Sequence, residues 1–133
     1  MQPTIVDLVK RGDHRGSLIA LESGLNVPFE IKRVYYIFGT SPDVRRGFHA
    51  HKNLKQIAVA VSGSCKMQLD DGSSKVVVDL SGPEKGLVIE GHIWREMFDF
   101  SPDCVLLVLA DQLYDESDYI RNYEDFLKYI KTR

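Results

Sequence analysis

The chain has 133 residues, 44% of them apolar and 27% charged, so one compact domain is expected, with little room for a second. Its 17 basic and 19 acidic side chains give a net charge of -2 with the four histidines neutral, and neither sign gathers in one half. That balance excludes a nucleic-acid binder built on a broad basic field. No apolar run approaches the roughly 18 residues that cross a bilayer. The opening MQPTIVDLVKRGD lacks the apolar block of a signal peptide, so a cytoplasmic protein with neither a membrane nor a nucleic-acid polymer as partner is expected.

In chain order, short β-type runs recur between turn residues: SLIALES from Ser17, EIKRVYYIFG from Glu30, LKQIAVAVSG from Leu54, SCKMQLD from Ser64, SKVVVDL from Ser74, GLVIE from Gly86, HIWREMFDF from His92 and CVLLVLA from Cys104. Many short strands with regular turn punctuation predict a sandwich or barrel. Asp71-Gly72 predicts a tight hairpin turn with positive φ, and Val61-Ser62-Gly63-Ser64 a second turn. Cys65, Met67 and Leu69 alternate with Lys66, Gln68 and Asp70, which gives that strand one buried and one wet face. Cys65 and Cys104 both interrupt apolar runs and read as buried free thiols of a reducing compartment. From Asp115 the period changes: Tyr119, Ile120, Tyr123, Phe126, Leu127 and Ile130 form an apolar stripe, predicting a helix over about 115–131 capped by Asp115 or Ser117.

The segment Arg45-Arg46-Gly47-Phe48-His49-Ala50-His51 carries the chemistry. Two histidines two residues apart on a strand project from the same face, and a barrel would turn both into one cavity. Here the chain resembles the cupin superfamily of double-sheet jelly-roll barrels. Gly47, His49, His51 and Gly63 fit its first motif, with Gln56 where the motif has Glu. In the second motif, the segment Glu90 to Met97, Arg95 takes the position of the His. The resemblance therefore implies an all-β jelly roll over about 13–112 followed by the helix, as one domain spanning 1–133. Two of its usual metal ligands are replaced, one by a neutral amide and one by a permanent cation that repels divalent ions. No metal and no other cofactor are expected.

RVYYIFG, RGFHAHK, the Trp94 segment and Leu113-Tyr114-Asp115-Glu116 followed by DYIRNY extend the resemblance. Together they look like the dTDP-4-keto-6-deoxyglucose 3,4-ketoisomerases, from about Asp13 to the C-terminal helix. Such enzymes move a carbonyl from C4 to C3 of a dTDP-linked keto-deoxysugar in deoxyaminosugar biosynthesis, through an enediol. A histidine suits removal of the C3 proton, and a tyrosine suits donation to the developing negative oxygen. The resemblance implies His49 as base, Tyr35 as acid near C4 and His51 as proton relay. The residues themselves rank neither histidine above the other.

Tyr35 and Tyr36 face opposite sides of one strand, so one of them lines the cavity. Arg15, Arg33, Arg46 and Arg95 are candidates for the pyrophosphate and sugar hydroxyls, with Arg46 foremost beside Gly47. Trp94 and Phe48 either pack on the nucleotide or fill the barrel wall. The competing readings are a dTDP-sugar 3,5-epimerase-like enzyme, whose His-Asp dyad has no signature here, and a non-catalytic sugar-binding cupin. The resemblance also implies a homodimer with exchanged N-terminal strands. Both the galacto and the gluco product remain open.

Overall fold

Strand alternation in the sequence translates into two facing antiparallel sheets in the computed structural model, which describes residues 1–132. One sheet runs in the order β1 (Thr4–Asp7), β9 (Lys85–Ile89), β6 (Gln56–Ser62), β11 (Val105–Ala110) and β4 (Arg33–Phe38). The other runs β12 (Tyr119–Ile120), β5 (Arg46–His51), β10 (Trp94–Phe98), β7 (Ser64–Asp70) and β8 (Lys75–Ser81). A small hairpin of β2 (Arg11–Asp13) and β3 (Gly16–Leu18) stands apart, and α1 (Tyr123–Lys131) is the one α-helix among the described residues. This is the expected cupin-type jelly-roll barrel with a C-terminal helix.

Between the sheets lies a core of Ala58, Ala60, Met67, Leu69, Leu87, Leu106 and Val108, joined by the free thiols Cys65 and Cys104. The outer face of the first sheet is covered as well, by Ile19, Leu21, Phe29 and Ile31 packed on Ile57, Val59 and Leu109. That explains why Gln56 to Ala60 is buried on both faces and reads as a continuous apolar run. It also corrects the expected strand SLIALES. Only its first two residues extend β3, and the rest lies as a cover whose apolar side chains find a sheet face. The sequence reading passed over β1, which pairs with β9 from Thr4 to Asp7 and brings the barrel wall nearer the N-terminus than residue 13.

Two further expectations change. The β7–β8 connection spans four residues, because Asp70 pairs with Lys75, and only Gly72 adopts a positive φ, of 92°. Asp71 instead accepts hydrogen bonds from Ser73 and Ser74 N–H at 2.8 Å. A Cβ on Gly72 would stand 2.0 Å from Ile130 Cδ1, so this turn is also a seat for the helix. The helix itself starts at Tyr123 rather than near Asp115, with Asn122 as its cap accepting from Asp125 N–H at 3.0 Å. Asp115 caps a short 3-10 turn, Glu116–Asp118, and then Tyr119 and Ile120 pair with His51 and Ala50. The open edge of β5 recruits these two residues as a strand and overrides their helical spacing. Among the described residues no helix is long and apolar enough to cross a membrane.

Candidate active site

The site is built where β4 and β5 pass the end of the barrel beside β12. A cavity of about 460 Å³ opens there, walled by Arg33, Tyr35, Arg46, His49, Tyr119 and Arg121 among others. A smaller void of about 20 Å³ shares Tyr35, His49 and Met97 with it and is completed by Gln56 and Arg95. Strand alternation in β4 turns Arg33, Tyr35 and Ile37 inward and leaves Tyr36 61% exposed. Gly47 has φ of 103°, and a Cβ there would stand 3.0 Å from the Arg95 carbonyl oxygen. Glycine thus lets β5 cross close to β10, at the point where their register shifts between Arg95 and Glu96.

Satisfiability assigns the imidazole protons. His49 Nδ1 lies 3.0 Å from the Gly47 carbonyl oxygen, which only accepts, so Nδ1 carries hydrogen and Nε2 carries the lone pair. Burial first, and then the Arg95 cation, push His49 down to about 4, so the ring is neutral near pH 7. His51 Nδ1 donates to Asp118 Oδ2 at 2.9 Å, leaving its buried Nε2 without a hydrogen-bond partner. Burial, followed by Arg95, also lowers His51. The two rings meet edge-on with centroids 4.9 Å apart, and Tyr119 packs 5.1 Å from His49 and 4.3 Å from His51.

Tyr35 is held protonated by burial, which raises its pKa against the opposing Arg95 charge. Its hydroxyl accepts from Gln56 Nε2 at 2.9 Å. Arg95, 3% exposed, donates to Gln56 Oε1 and, at 3.1 Å, to the Ile93 carbonyl. Burial lowers Arg95 to about 10, still cationic at neutral pH. The donor set that the cupin pattern would offer a metal is thus a guanidinium bonded to an amide beside the histidines. It does not fit a divalent ion.

The structure brings together His49, Tyr35, Arg33 and Arg46 on the cavity wall, with His51 behind His49 and Arg95 beneath Tyr35 and His49 in the small void. It separates two expected site residues from them. Arg15 stands on the β2–β3 hairpin, ion-paired to Asp13 at 2.7 Å and outside the cavity wall. Trp94 is corrected to a core residue: it precedes the inward-facing Arg95, so alternation turns it to the opposite face of β10. There it packs 5.3 Å from Tyr123 and 6.0 Å from Phe126, under the helix. Phe48 is 44% exposed and also lies off the wall.

Sequence reasoning missed Asp118, Tyr119 and Arg121. All three sit in the DYIRNY segment that was assigned to a helix, and the missed strand β12 is what aims them at the histidines. Arg121 is braced by Glu116, with Nε to Oε1 at 2.6 Å and a second contact at 2.9 Å, and lies 4.2 Å over the Tyr119 ring. The His-Asp dyad expected to be absent is present as His51 and Asp118, which are 67 residues apart in the chain.

Known proteins are similar to this one along nearly the whole chain. A TDP-4-oxo-6-deoxy-alpha-D-glucose-3,4-oxoisomerase from Aneurinibacillus thermoaerophilus is 51% identical over 130 residues, covering 98% of this chain and 94% of the relative. The crystal structure of WlaRB, a TDP-quinovose 3,4-ketoisomerase from Campylobacter jejuni, superposes with a TM-score of 0.91 at 52% identity, covering 95% of this chain and 97% of that one. A mutant of the 3,4-ketoisomerase QdtA from Thermoanaerobacterium thermosaccharolyticum, in complex with TDP-4-keto-6-deoxyglucose, superposes with a TM-score of 0.95 at 41% identity, covering 98% of this chain and 95% of that one. The family described as FdtA (WxcM-like, C-terminal) matches residues 1–131, nearly the full length of this chain, and the chain belongs to that family.

Proposed function

We propose that this chain is a sugar-nucleotide 3,4-ketoisomerase that converts TDP-4-keto-6-deoxyglucose to a TDP-3-keto-6-deoxyhexose through an enediol, without a metal or redox cofactor. One observation carries the reading: a single cavity wall presents a neutral imidazole, a protonated phenol and three guanidinium groups. Arg33, Arg46 and Arg121 offer the planar forks that diphosphate oxygens take. His49 removes the C3 proton on Nε2, the nitrogen that the Gly47 carbonyl leaves free. The electron pair forms the C3–C4 double bond as charge builds on O4, to which Tyr35 donates. A proton then adds at C4 while the C3 hydroxyl loses its own, giving the 3-keto sugar with no net change in electrons.

His51 acts as relay behind His49, with its ring 4.9 Å away and its proton held by Asp118. The new 3-keto group is the acceptor that amino transfer in deoxyaminosugar biosynthesis requires. NMR of TDP-4-keto-6-deoxyglucose incubated with the protein tests the assignment. A new 3-keto species is expected. An unchanged ligand would make the protein a sugar-binding cupin, and a 4-keto product inverted at C3 or C5 would make it an epimerase.

A cytoplasmic homodimer with exchanged N-terminal strands belongs to the same proposal. The two free thiols suit a reducing compartment. Edge strand β4 turns Val34, Tyr36 and Phe38 outward at 54%, 61% and 67% exposure, a large apolar row for a lone chain. Light scattering should return twice the 15.1 kDa chain mass. A monomer at micromolar concentration would overturn the dimer.

A further inference from the structure

We propose that Gln56 is a positioning residue: it links the Arg95 guanidinium to the Tyr35 hydroxyl and turns the hydroxyl proton toward the cavity. The inference rests on the reading of Tyr35 as donor to the sugar oxygen and asks what makes it one. Arg95 has donors only, so the Gln56 oxygen must face it. The Gln56 NH₂ must then face Tyr35, 2.9 Å away, and an NH₂ group only donates. Tyr35 therefore accepts there, and its own hydrogen is released from the protein interior. Tyr35 lines both the cavity and the void below, so the free hydrogen can turn to a sugar oxygen bound in the cavity.

The chain is polarised in one direction, from cation through amide to phenol, which strengthens the final donor. It stabilises most where charge develops on the substrate oxygen, and so acts on the transition state more than on binding. A carboxylate at this position would reverse the last link. Glu accepts from both neighbours, so Tyr35 would turn its proton inward to the carboxylate and away from the sugar. The Glu of the cupin metal motif is thus incompatible with a Tyr35 donor, and the neutral amide at residue 56 serves the chemistry directly.

The test is kinetics on TDP-4-keto-6-deoxyglucose with Gln56→Glu and Gln56→Met, each in the native and Tyr35→Phe backgrounds, with TDP affinity by calorimetry reporting an intact fold. Gln56→Glu should lower kcat by about 10-fold or more while KM and TDP affinity change by less than about 3-fold. Gln56→Met, which keeps the volume and removes the amide, should also lower kcat and keeps the test open where a buried carboxylate unsettles folding. In the Tyr35→Phe background either change should cost less than about 2-fold, because the group being positioned is gone. Equal losses in both backgrounds would mean a merely structural Gln56 and overturn the inference. Undiminished kcat in both Gln56 variants, with Tyr35→Phe impaired, would overturn it while leaving the Tyr35 assignment standing. Full activity in Tyr35→Phe would remove the assignment itself.

Discussion

His51 and Asp118 form a buried pair, Nδ1 to Oδ2 at 2.9 Å, and the other carboxylate oxygen accepts the Asn53 N–H at 2.8 Å. Both oxygens of Asp118 are therefore committed, and the proton on His51 is fixed to one nitrogen. Asp118→Asn tests that constraint. The Asn53 N–H still needs an acceptor, so the amide oxygen stays there and its NH₂ faces His51. Nδ1 must then accept, and the ring proton moves to Nε2. Turnover should fall on the order of 10-fold or more with TDP binding retained, since the geometry survives and the tautomer does not. Unchanged turnover would show that the relay does not depend on this tautomer.

In the proposed mechanism the two histidines divide between base and relay. His49→Asn keeps the approximate size and removes the basic nitrogen, so turnover should drop by roughly 10²-fold or more. His51→Asn should slow exchange of the C3 proton with deuterated water more than it slows turnover that returns the proton internally. Reading turnover, TDP binding and deuterium incorporation in both variants decides the matter. An inactive His51→Asn beside an active His49→Asn would swap the roles.

The acid limb of the pH profile carries the signature of burial. As the proposed base His49 must act as the neutral ring, and its pKa is lowered to about 4 by burial and then by Arg95. The active form is thus present above that value and is lost as pH falls through it. The kcat/KM profile should hold through pH 6 and break near about 4 to 5, below the ordinary imidazole range of about 6.5. A break at the ordinary value would place the base in a wetter, less cationic setting than the cavity described.

Metal independence follows from Arg95 bonded to Gln56 beside His49. Exhaustive EDTA treatment should leave the rate unchanged. A rate that collapses with the chelator and returns with one divalent ion would refute the metal-free mechanism.

Trp94 offers a test of packing against binding. Its ring is buried between β10 and the helix, and its indole N–H donates to Glu96 Oε2 at 2.9 Å. Trp94→Leu should cost about 2 kcal/mol or more in urea denaturation. TDP affinity should stay within about 2-fold, as expected for a change remote from the cavity. A large loss of affinity in a stable variant would restore Trp94 to the nucleotide site.

Local order was legible in the sequence wherever the period of burial equals the period of the element. The alternation through SCKMQL matches β7 from Ser64 to Leu69, whereas Asp70, expected on the wet face, is buried and accepts from the Tyr123 hydroxyl at 2.7 Å. The apolar run IAVA lies in β6, buried on both faces, with Val61 exposed beyond it. The substitutions that dismiss the cupin metal, Gln56 and Arg95, were likewise readable one residue at a time. Tertiary structure alone decided which of these residues meet. Tyr119 and Ile120 carry helical spacing, yet the unpaired edge of β5 takes them as a strand, and Asp118 thereby reaches His51 across 67 residues of chain. Trp94 and Arg95 are neighbours in sequence and opposites in space, one under the helix and the other in the void beneath Tyr35. Hydrogen bonds from Arg95 to Gln56 and from Gln56 to Tyr35 join three strands, and no local pattern encodes a partner 39 or 21 residues away. Spacing sets the face on which a side chain stands, whereas sheet pairing and edge satisfaction, which depend on the whole chain, set what it faces.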